Sequence, residues 1–360
     1  MLDHTFDTLR RAVEDGLVPG AAAAVGTADG RLRAEAYGWA QLEPRRRRLD
    51  LDMLFDCASL TKVVVTTTLA LHAIETGHLF LGQKAASAVP EFGAAGKDDV
   101  TIRHLLTHTS GLPAGIDVSA SGKTRAAALR TVWDTPLAAP SASAVVYSDL
   151  GFITLGEVLA RVLGKPLHRL ASDAIFEPLG MRDACFNPAR RDRCVATEIV
   201  PERGGLVVGE VHDDNAAVMG GVAGHAGLFA TLADVERFAR MWLGSGSLEG
   251  RRVLSPAATA LATRDQTGSV DRLAQRGLGW VLTPNGFWPA ADLASPTSYS
   301  HTGFTGTSIV IDPTIGIYAV LLTNRVHPSR EAGSVQRIRT LRARFHNCAW
   351  AELSSLSFQM

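Results

Sequence analysis

At 360 residues the chain predicts two structural lobes or one large domain. Its 46% hydrophobic and 20% charged residues exclude wholesale disorder, and 36 basic residues balanced by 36 acidic ones exclude a surface built around polyanions, leaving room only for a local patch. Cys57, Cys185, Cys194 and Cys348 form no CxxC pair or Cys/His cluster, the stretch Met1 to Gly16 lacks a secretory-signal pattern, and no apolar run is long enough to span a membrane, so a soluble, cytoplasmic protein is expected.

Leu2, Phe6, Leu9 and Val13 recur at helical spacing and predict a short first helix ending at Gly16. Pro19-Gly20 opens an apolar run to Val25, Ala28-Asp29-Gly30 signals a turn, and Leu32 to Trp39 reads as a returning strand. Arg45 to Arg48 reads as a solvated loop, with an anionic-ligand patch as the alternative. Phe55 to Ala73 holds only Asp56 and Lys62 as charges and predicts a helix buried on all sides, ending near Gly77. Helices and loops then dominate to about residue 275. Thr101 caps Ile102 to His108, Lys123 to Asp134 and Gly151 to Leu163 have helical periodicity, and Thr231 with Asp234 gives a capping signal before Val235 to Leu243. Short β-rich runs return at Leu278 to Leu282, Ser308 to Ile311 and Ile317 to Thr323, followed by a final helix from Val335 to Phe345 with arginines on its outer face. Strands at both ends, helices between and no βαβ alternation predict an antiparallel sheet built from both termini with a helical region inserted.

Three short motifs bear on chemistry. In Ser59-Leu60-Thr61-Lys62, serine and lysine share a helical face, and the helix N-terminus places backbone N–H groups beside the serine oxygen. A lysine in so uncharged a helix is expected to have a depressed pKa, and a neutral amine can help deprotonate serine. The bland alternative is a capping serine with a snorkelling lysine. Tyr147-Ser148-Asp149 precedes a predicted helix; Tyr147 either exchanges protons with a nucleophile or leaving group, or simply packs at a helix start. His301-Thr302-Gly303, continued by Phe304, lies before a predicted strand. Its glycine permits close substrate approach and a backbone N–H there can complete an oxyanion hole, the alternative being an ordinary turn.

In order and spacing these motifs, with LLTHTSGLP at Leu105 to Pro113 between them, resemble the serine β-lactamase and penicillin-binding-protein superfamily, most closely its class C-like branch. That branch includes esterases, D-aminopeptidases, D-alanyl-D-alanine carboxypeptidases and muropeptide amidases. The resemblance implies a β-lactamase/transpeptidase-like α/β (α+β) fold: an antiparallel sheet flanked by helices in a lobe of residues 1–75 and 276–360, an inserted all-helical or mainly helical lobe of residues 76–275, and a site in the cleft between. It implies Ser59 as the acylated nucleophile, Lys62 as the residue that orients it, Tyr147 as general base, and the N–H groups of Ser59 and Phe304 as the oxyanion hole. Asp149, His301, Thr302 and Gly303 would bind substrate.

Two departures stand out. Asp149 replaces the asparagine of the family's β-lactamases, and an ionised aspartate can only accept hydrogen bonds. His301 replaces a lysine, so its positive charge is conditional on pH. Both argue against efficient β-lactam hydrolysis and predict poor binding of carboxylate ligands near neutral pH, improving as His301 protonates. A further stretch, Val211 to Asn215 with Gly220 to Gly227, is similar to a VHD-x-NA … AGHAGLF pattern of a subgroup containing N-acetylmuramyl-L-alanine amidase. It predicts a cleft-lining loop bearing His212 and His225. His212, Asp214 and His225 as metal ligands fit no compact motif, so no metal and no cofactor is expected. The expected function is a serine hydrolase acting on a cell-wall-derived muropeptide amide. A carboxylesterase of small acyl esters is the alternative, followed by a β-lactamase or D-Ala-D-Ala carboxypeptidase and then by a non-catalytic binding protein. The expected partner is a small-molecule substrate, neither nucleic acid nor membrane.

Overall fold

The apolar run after Pro19 becomes the middle of a sheet. In the computed structural model, which describes residues 1–118, 124–283, 291–331 and 334–357, strand β1 (Gly20–Thr27) is buried along almost its whole length. Its side chains alternate between two cores: Ala22 and Ala24 enter the larger one, Ala21, Ala23 and Val25 the smaller. A strand apolar on both faces needs cover on both faces. The turn at Ala28 to Gly30 leads back into β2 (Arg31–Gln41), with Ala22 opposite Ala36. Among the described residues the other strands of this sheet are β3 (Arg47–Arg48), β4 (Val281–Leu282), β5 (Tyr299–Thr302), β6 (Ser308–Asp312) and β7 (Ile317–Thr323). They stand in the order β4-β5-β6-β7-β1-β2-β3, antiparallel at every pairing, with Ala24 opposite Val320 where the two ends of the chain meet.

Helices supply the cover. On one face lie α1 (Asp3–Glu14) and, much later in the chain, the long helix Val335–Ser357; Phe6 meets Phe345 edge-on at 6.1 Å, and the Thr5 hydroxyl donates to Glu352 at 2.6 Å. On the other lies the helix Leu232–Leu243, capped by Thr231 and Asp234 as predicted. Its buried Glu236 accepts from the Tyr318 hydroxyl at 2.9 Å and pairs with Arg31, so the helix is tied to two strands. Between the sheet strands run Ile102–Leu106, capped by Thr101, then Arg125–Asp134 and Asp149–Val162. Residue 123, the expected start of the second of these, lies outside the described residues.

Local structure departs from the sequence pattern in four places. The buried helix begins at Leu60, because Phe55–Asp56 pairs as a strand with Leu228–Ala230, which also carries Cys185–Phe186 on its other edge. The region 76–275 is therefore not all helical: besides these strands it holds a hairpin of Ala196–Val200 and Gly205–Val208, and a two-residue pair at Ser247–Leu248 and Arg251–Arg252. His301 and Thr302 precede the expected strand, β6, but themselves end a strand that the pattern did not show, β5. Arg47–Arg48 is an edge strand, not a loop: Arg47 donates to the carbonyls of Asp192 and Cys194, and Arg46 and Arg48 lie over the Trp39 ring.

Candidate active site

The site grows from the turn between that short strand and the buried helix. Ala58 is left-handed at φ 47°, an uncommon conformation for a residue with a Cβ. Asp56 holds the turn: one carboxylate oxygen accepts from the Ala58 N–H at 2.8 Å, the other from the His212 N–H at 2.7 Å. Lys62 N–H donates to the Ser59 carbonyl at 3.0 Å, a tight turn that sets the two side chains one above the other. From Lys62 the helix widens into a π-wound segment, Lys62–Thr67, before continuing as Thr68–Glu75. Thr66 reaches across to the Gly224 carbonyl at 2.6 Å, fastening the helix to the 211–227 loop.

Lys62 is fully buried, yet it is not the neutral amine that its helix suggested. Its Nζ donates to Ser59 Oγ at 2.9 Å and to the His225 carbonyl at 3.1 Å, and pairs with Asp149 Oδ1 at 2.6 Å. Burial pulls the Lys62 pKa down, but the charges of Asp149 and Tyr147 outweigh it and the net shift is upward. Lys62 is thus an ammonium that holds the serine oxygen and can offset negative charge on it. The Tyr147 ring lies 4.9 Å from Nζ.

His108, in the LLTHTSGLP stretch, was not singled out as a site residue, and it positions Tyr147. Its Nδ1 accepts from the Ser148 N–H at 3.0 Å, its carbonyl accepts from Val146 N–H at 2.9 Å, and its ring packs 4.5 Å from the Tyr147 ring. Burial, then the charges of Arg276 and Lys62, keep His108 far below the ordinary histidine range, so Nδ1 stays an acceptor.

The third motif is sewn to the serine turn. Thr305 Oγ1 donates to the Asp56 carbonyl at 2.8 Å and Thr307 Oγ1 to the Cys57 carbonyl at 3.1 Å. Gly303 lies so close that a Cβ there would sit 2.6 Å from the Cys57 oxygen. Among the described residues the N–H groups of Ser59 and Phe304 donate to no protein acceptor, as oxyanion donors require. His301 is buried, with Nδ1 donating to the Thr302 carbonyl at 2.9 Å. Burial first, then Lys62 and Arg276, push its pKa well below the ordinary value, so the expected conditional charge is not available near neutral pH. The expected repulsion of carboxylates loses its other basis too, because the Asp149 charge is paired with Lys62.

His212 and His225 both reach the neighbourhood of Ser59 by separate routes. His212 pairs with Glu198 at 2.8 Å and stacks on Phe304, while His225 pairs with Asp213 at 2.9 Å behind Lys62. Asp214 instead faces Arg203 and Arg330, so His212, Asp214 and His225 do not converge. Asp213 also caps the short helix Asp214–Val218; burial raises its pKa, but His225, the Ala216 N–H and Lys62 outweigh this and hold the carboxyl well below the ordinary range. Two cavities of about 450 Å³ each meet at Ser59, Asp213 and Phe304. One extends past His212 and Arg330; the other passes Tyr147, Asp149 and His301 to Arg276 and Arg342. Asp56, His108, Asp213, Arg276 and Arg342 were not picked out from the sequence. His108 and Asp213 lay within motif-bearing stretches, Asp56 and Arg342 within segments read as helices, and Arg276 within none.

Fold and cleft together define the class, a serine-hydrolase-type protein of the β-lactamase and penicillin-binding-protein superfamily. The Beta-lactamase family model matches residues 6–343, and the chain belongs to that family. It is 30% identical over 325 residues to the "Putative D-alanyl-D-alanine carboxypeptidase" of Escherichia coli (strain K12), covering 82% of this chain and 74% of that one. It is 28% identical over 351 residues to the N-acetylmuramyl-L-alanine amidase of Bacillus subtilis (strain 168), covering 86% and 78%. In fold it is similar to EstCE1, a hydrolase with promiscuous acyltransferase activity, with a TM-score of 0.77 over 96% of this chain and 97% of that one at 22% identity. Among the described residues no helix is long and apolar enough to cross a membrane.

Proposed function

We propose that the protein is an acyl-transferring serine hydrolase that forms its acyl-enzyme on Ser59, and that small acyl esters are the substrates it turns over most readily. The observation that carries this reading is the Ser59 oxygen at the junction of two cavities, held at 2.9 Å by a buried ammonium. Ser59 Oγ attacks the carbonyl carbon, and its proton passes to the Tyr147 oxygen, which acts as the phenolate beside the Lys62 ammonium. The N–H groups of Ser59 and Phe304 and the Lys62 ammonium offset the negative charge that develops. Tyr147 then gives the proton to the leaving oxygen as the carbon–oxygen bond breaks. Water adds to the acyl carbon, Tyr147 takes its proton, and Ser59 departs with it.

Asp149 favours an ester over an amide. It cannot donate to an amide carbonyl as an asparagine does, and its charge is already directed at Lys62. The EstCE1 likeness leans the same way. A muropeptide amide is the second reading, supported by the names of the curated relatives and by the 211–227 loop placed against Lys62. Incubation with p-nitrophenyl esters, muropeptides and nitrocefin separates them. Ester turnover should lead. Muropeptide cleavage faster than any ester would replace the first reading by the second.

A further inference from the structure

His212 stands in the wall of the cavity that does not reach Tyr147, 4% exposed and locked in place. Its backbone N–H donates to Asp56 and its carbonyl accepts from Arg203 at 3.1 Å. Its ring stacks on Phe304, 5.7 Å between centroids and 19° between planes, and Nε2 meets Glu198 at 2.8 Å. Glu198 also accepts from the Arg330 N–H and from Arg330 Nε, each at 2.7 Å. Burial raises the Glu198 pKa, but the Arg330 N–H, His212 and the Arg330 guanidinium outweigh it and hold the carboxyl below its ordinary range. A carboxylate only accepts, so Nε2 carries the ring proton and the neutral ring offers its lone pair on Nδ1. Among the described residues that nitrogen has no protein partner. Nε2 of His108, Nδ1 of His225 and Nε2 of His301 are sealed in; Nδ1 of His212 is not, and it opens on the cavity beside Ser59. The polar side chains around it are already committed. Asn215 gives Nδ2 to the Ile116 carbonyl at 2.8 Å and accepts from Val118 N–H at 3.0 Å, while Asp213 faces His225 and the Ala216 N–H.

We propose that this cavity receives the acyl group of the substrate, and that His212 Nδ1 selects an acyl chain bearing a hydroxyl near its carbonyl. That this is the acyl side rests on the reading above, in which Tyr147 protonates the leaving oxygen: Tyr147 lines the other cavity and not this one. The hydroxyl donates to Nδ1. It sits only a few bonds from the carbonyl, because the Phe304 N–H takes the carbonyl oxygen and the ring of the same residue stacks on His212. An amide in the chain fits less well, since its own carbonyl needs a donor, and Asn215 Nδ2 and Arg330 Nε are given to Ile116 and Glu198. A hydrocarbon chain strips Nδ1 of water and puts nothing in its place, which is how a site built for a hydroxyl rejects the analogue without one. Glu198 is a positioning residue here: it fixes which ring nitrogen presents the lone pair.

The test uses two pairs of p-nitrophenyl esters in which a hydroxyl replaces a methyl group: 2-hydroxypropanoate against 2-methylpropanoate, and 3-hydroxybutanoate against 3-methylbutanoate. With each rate divided by that of spontaneous hydrolysis, the wild-type enzyme should prefer the hydroxyl by about tenfold or more in kcat/KM in at least one pair. His212→Phe, which keeps a ring against Phe304 without the acceptor, should abolish that preference. Glu198→Gln should lower it too, because a glutamine N–H given to Nε2 moves the ring proton to Nδ1. A structural role lowers both members of a pair alike and leaves the ratio unchanged, which overturns the proposal. So does a wild-type enzyme indifferent to the hydroxyl in both pairs. Nitrogen-15 NMR of the wild-type His212 ring, titrated with the amides of the same four acids, decides the pocket even where no ester is cleaved. An Nδ1 resonance moved by a hydroxy amide and not by its methyl counterpart upholds the pocket and puts the fault in the acyl-enzyme reading; an equal response to both, or none, removes the pocket itself.

Discussion

Lys62 is fully buried, and Asp149 at 2.6 Å helps keep it protonated. Exchanging Asp149 for Asn leaves a buried cation short of its counter-charge, and should cost about 3 kcal/mol at neutral pH. The pH dependence has a definite sign. The folded pKa of Lys62 is raised above its ordinary 10.5, so the pair's contribution is full below that value and is lost as pH rises through the folded value. Urea denaturation of wild type and Asp149→Asn on rising pH should show the two curves converging in the alkaline range. A difference that stays constant through that range contradicts the ion-pair account. Ser59, Lys62 and Tyr147, which the folded chain brings together, each sit in a short motif of the sequence. The charge state of Lys62 was not legible there, because it depends on Asp149, 87 positions away, reaching Nζ only in the folded chain. Arg276 was illegible for a related reason: nothing local distinguishes it from the chain's many other arginines.

At the scale of elements, the decisive object is the stretch from β5 to β6, stitched by Thr305 and Thr307 to the backbone that presents Ser59. Gly303→Ala places a methyl group against the Cys57 carbonyl and Thr307 Oγ1, and so pushes the Phe304 N–H away from the oxyanion position. Losing one such donor costs on the order of 10²–10³-fold in kcat, and p-nitrophenyl ester hydrolysis should fall by that order. Undiminished turnover in Gly303→Ala would remove Phe304 from the oxyanion hole. Long elements were readable from periodicity. Tyr299–Thr302 was not, because Ser300 and Thr302 interrupt any apolar run, and the two-residue strands at Phe55–Asp56 and Cys185–Phe186 are too short to alternate. Their existence is decided by the partner strand Leu228–Ala230.

Across the whole molecule, the two ends of the chain close one sheet and one helical layer. The helix Val335–Ser357 packs on α1 through Phe345 and carries Arg342 to the loop that holds Phe304. Phe345→Ala should lower unfolding stability by about 3–5 kcal/mol in chemical denaturation, a large fraction of what a domain has. A loss within about 0.5 kcal/mol, the range of a surface substitution, would mean that this helix is not part of the fold's support. The meeting of both termini in one antiparallel sheet was foreseen from strands at the two ends of the sequence. The extent of the last helix was not, since its buried face, with Phe345, Ala349 and Trp350, continues beyond the arginine-rich segment. All of this architecture serves one claim, that Ser59 carries the acyl group. The direct measurement is intact-protein mass after reaction with a fluorophosphonate, followed by peptide mapping. One adduct on the peptide containing Ser59, absent from Ser59→Ala, is the predicted result; full labelling of Ser59→Ala contradicts the account.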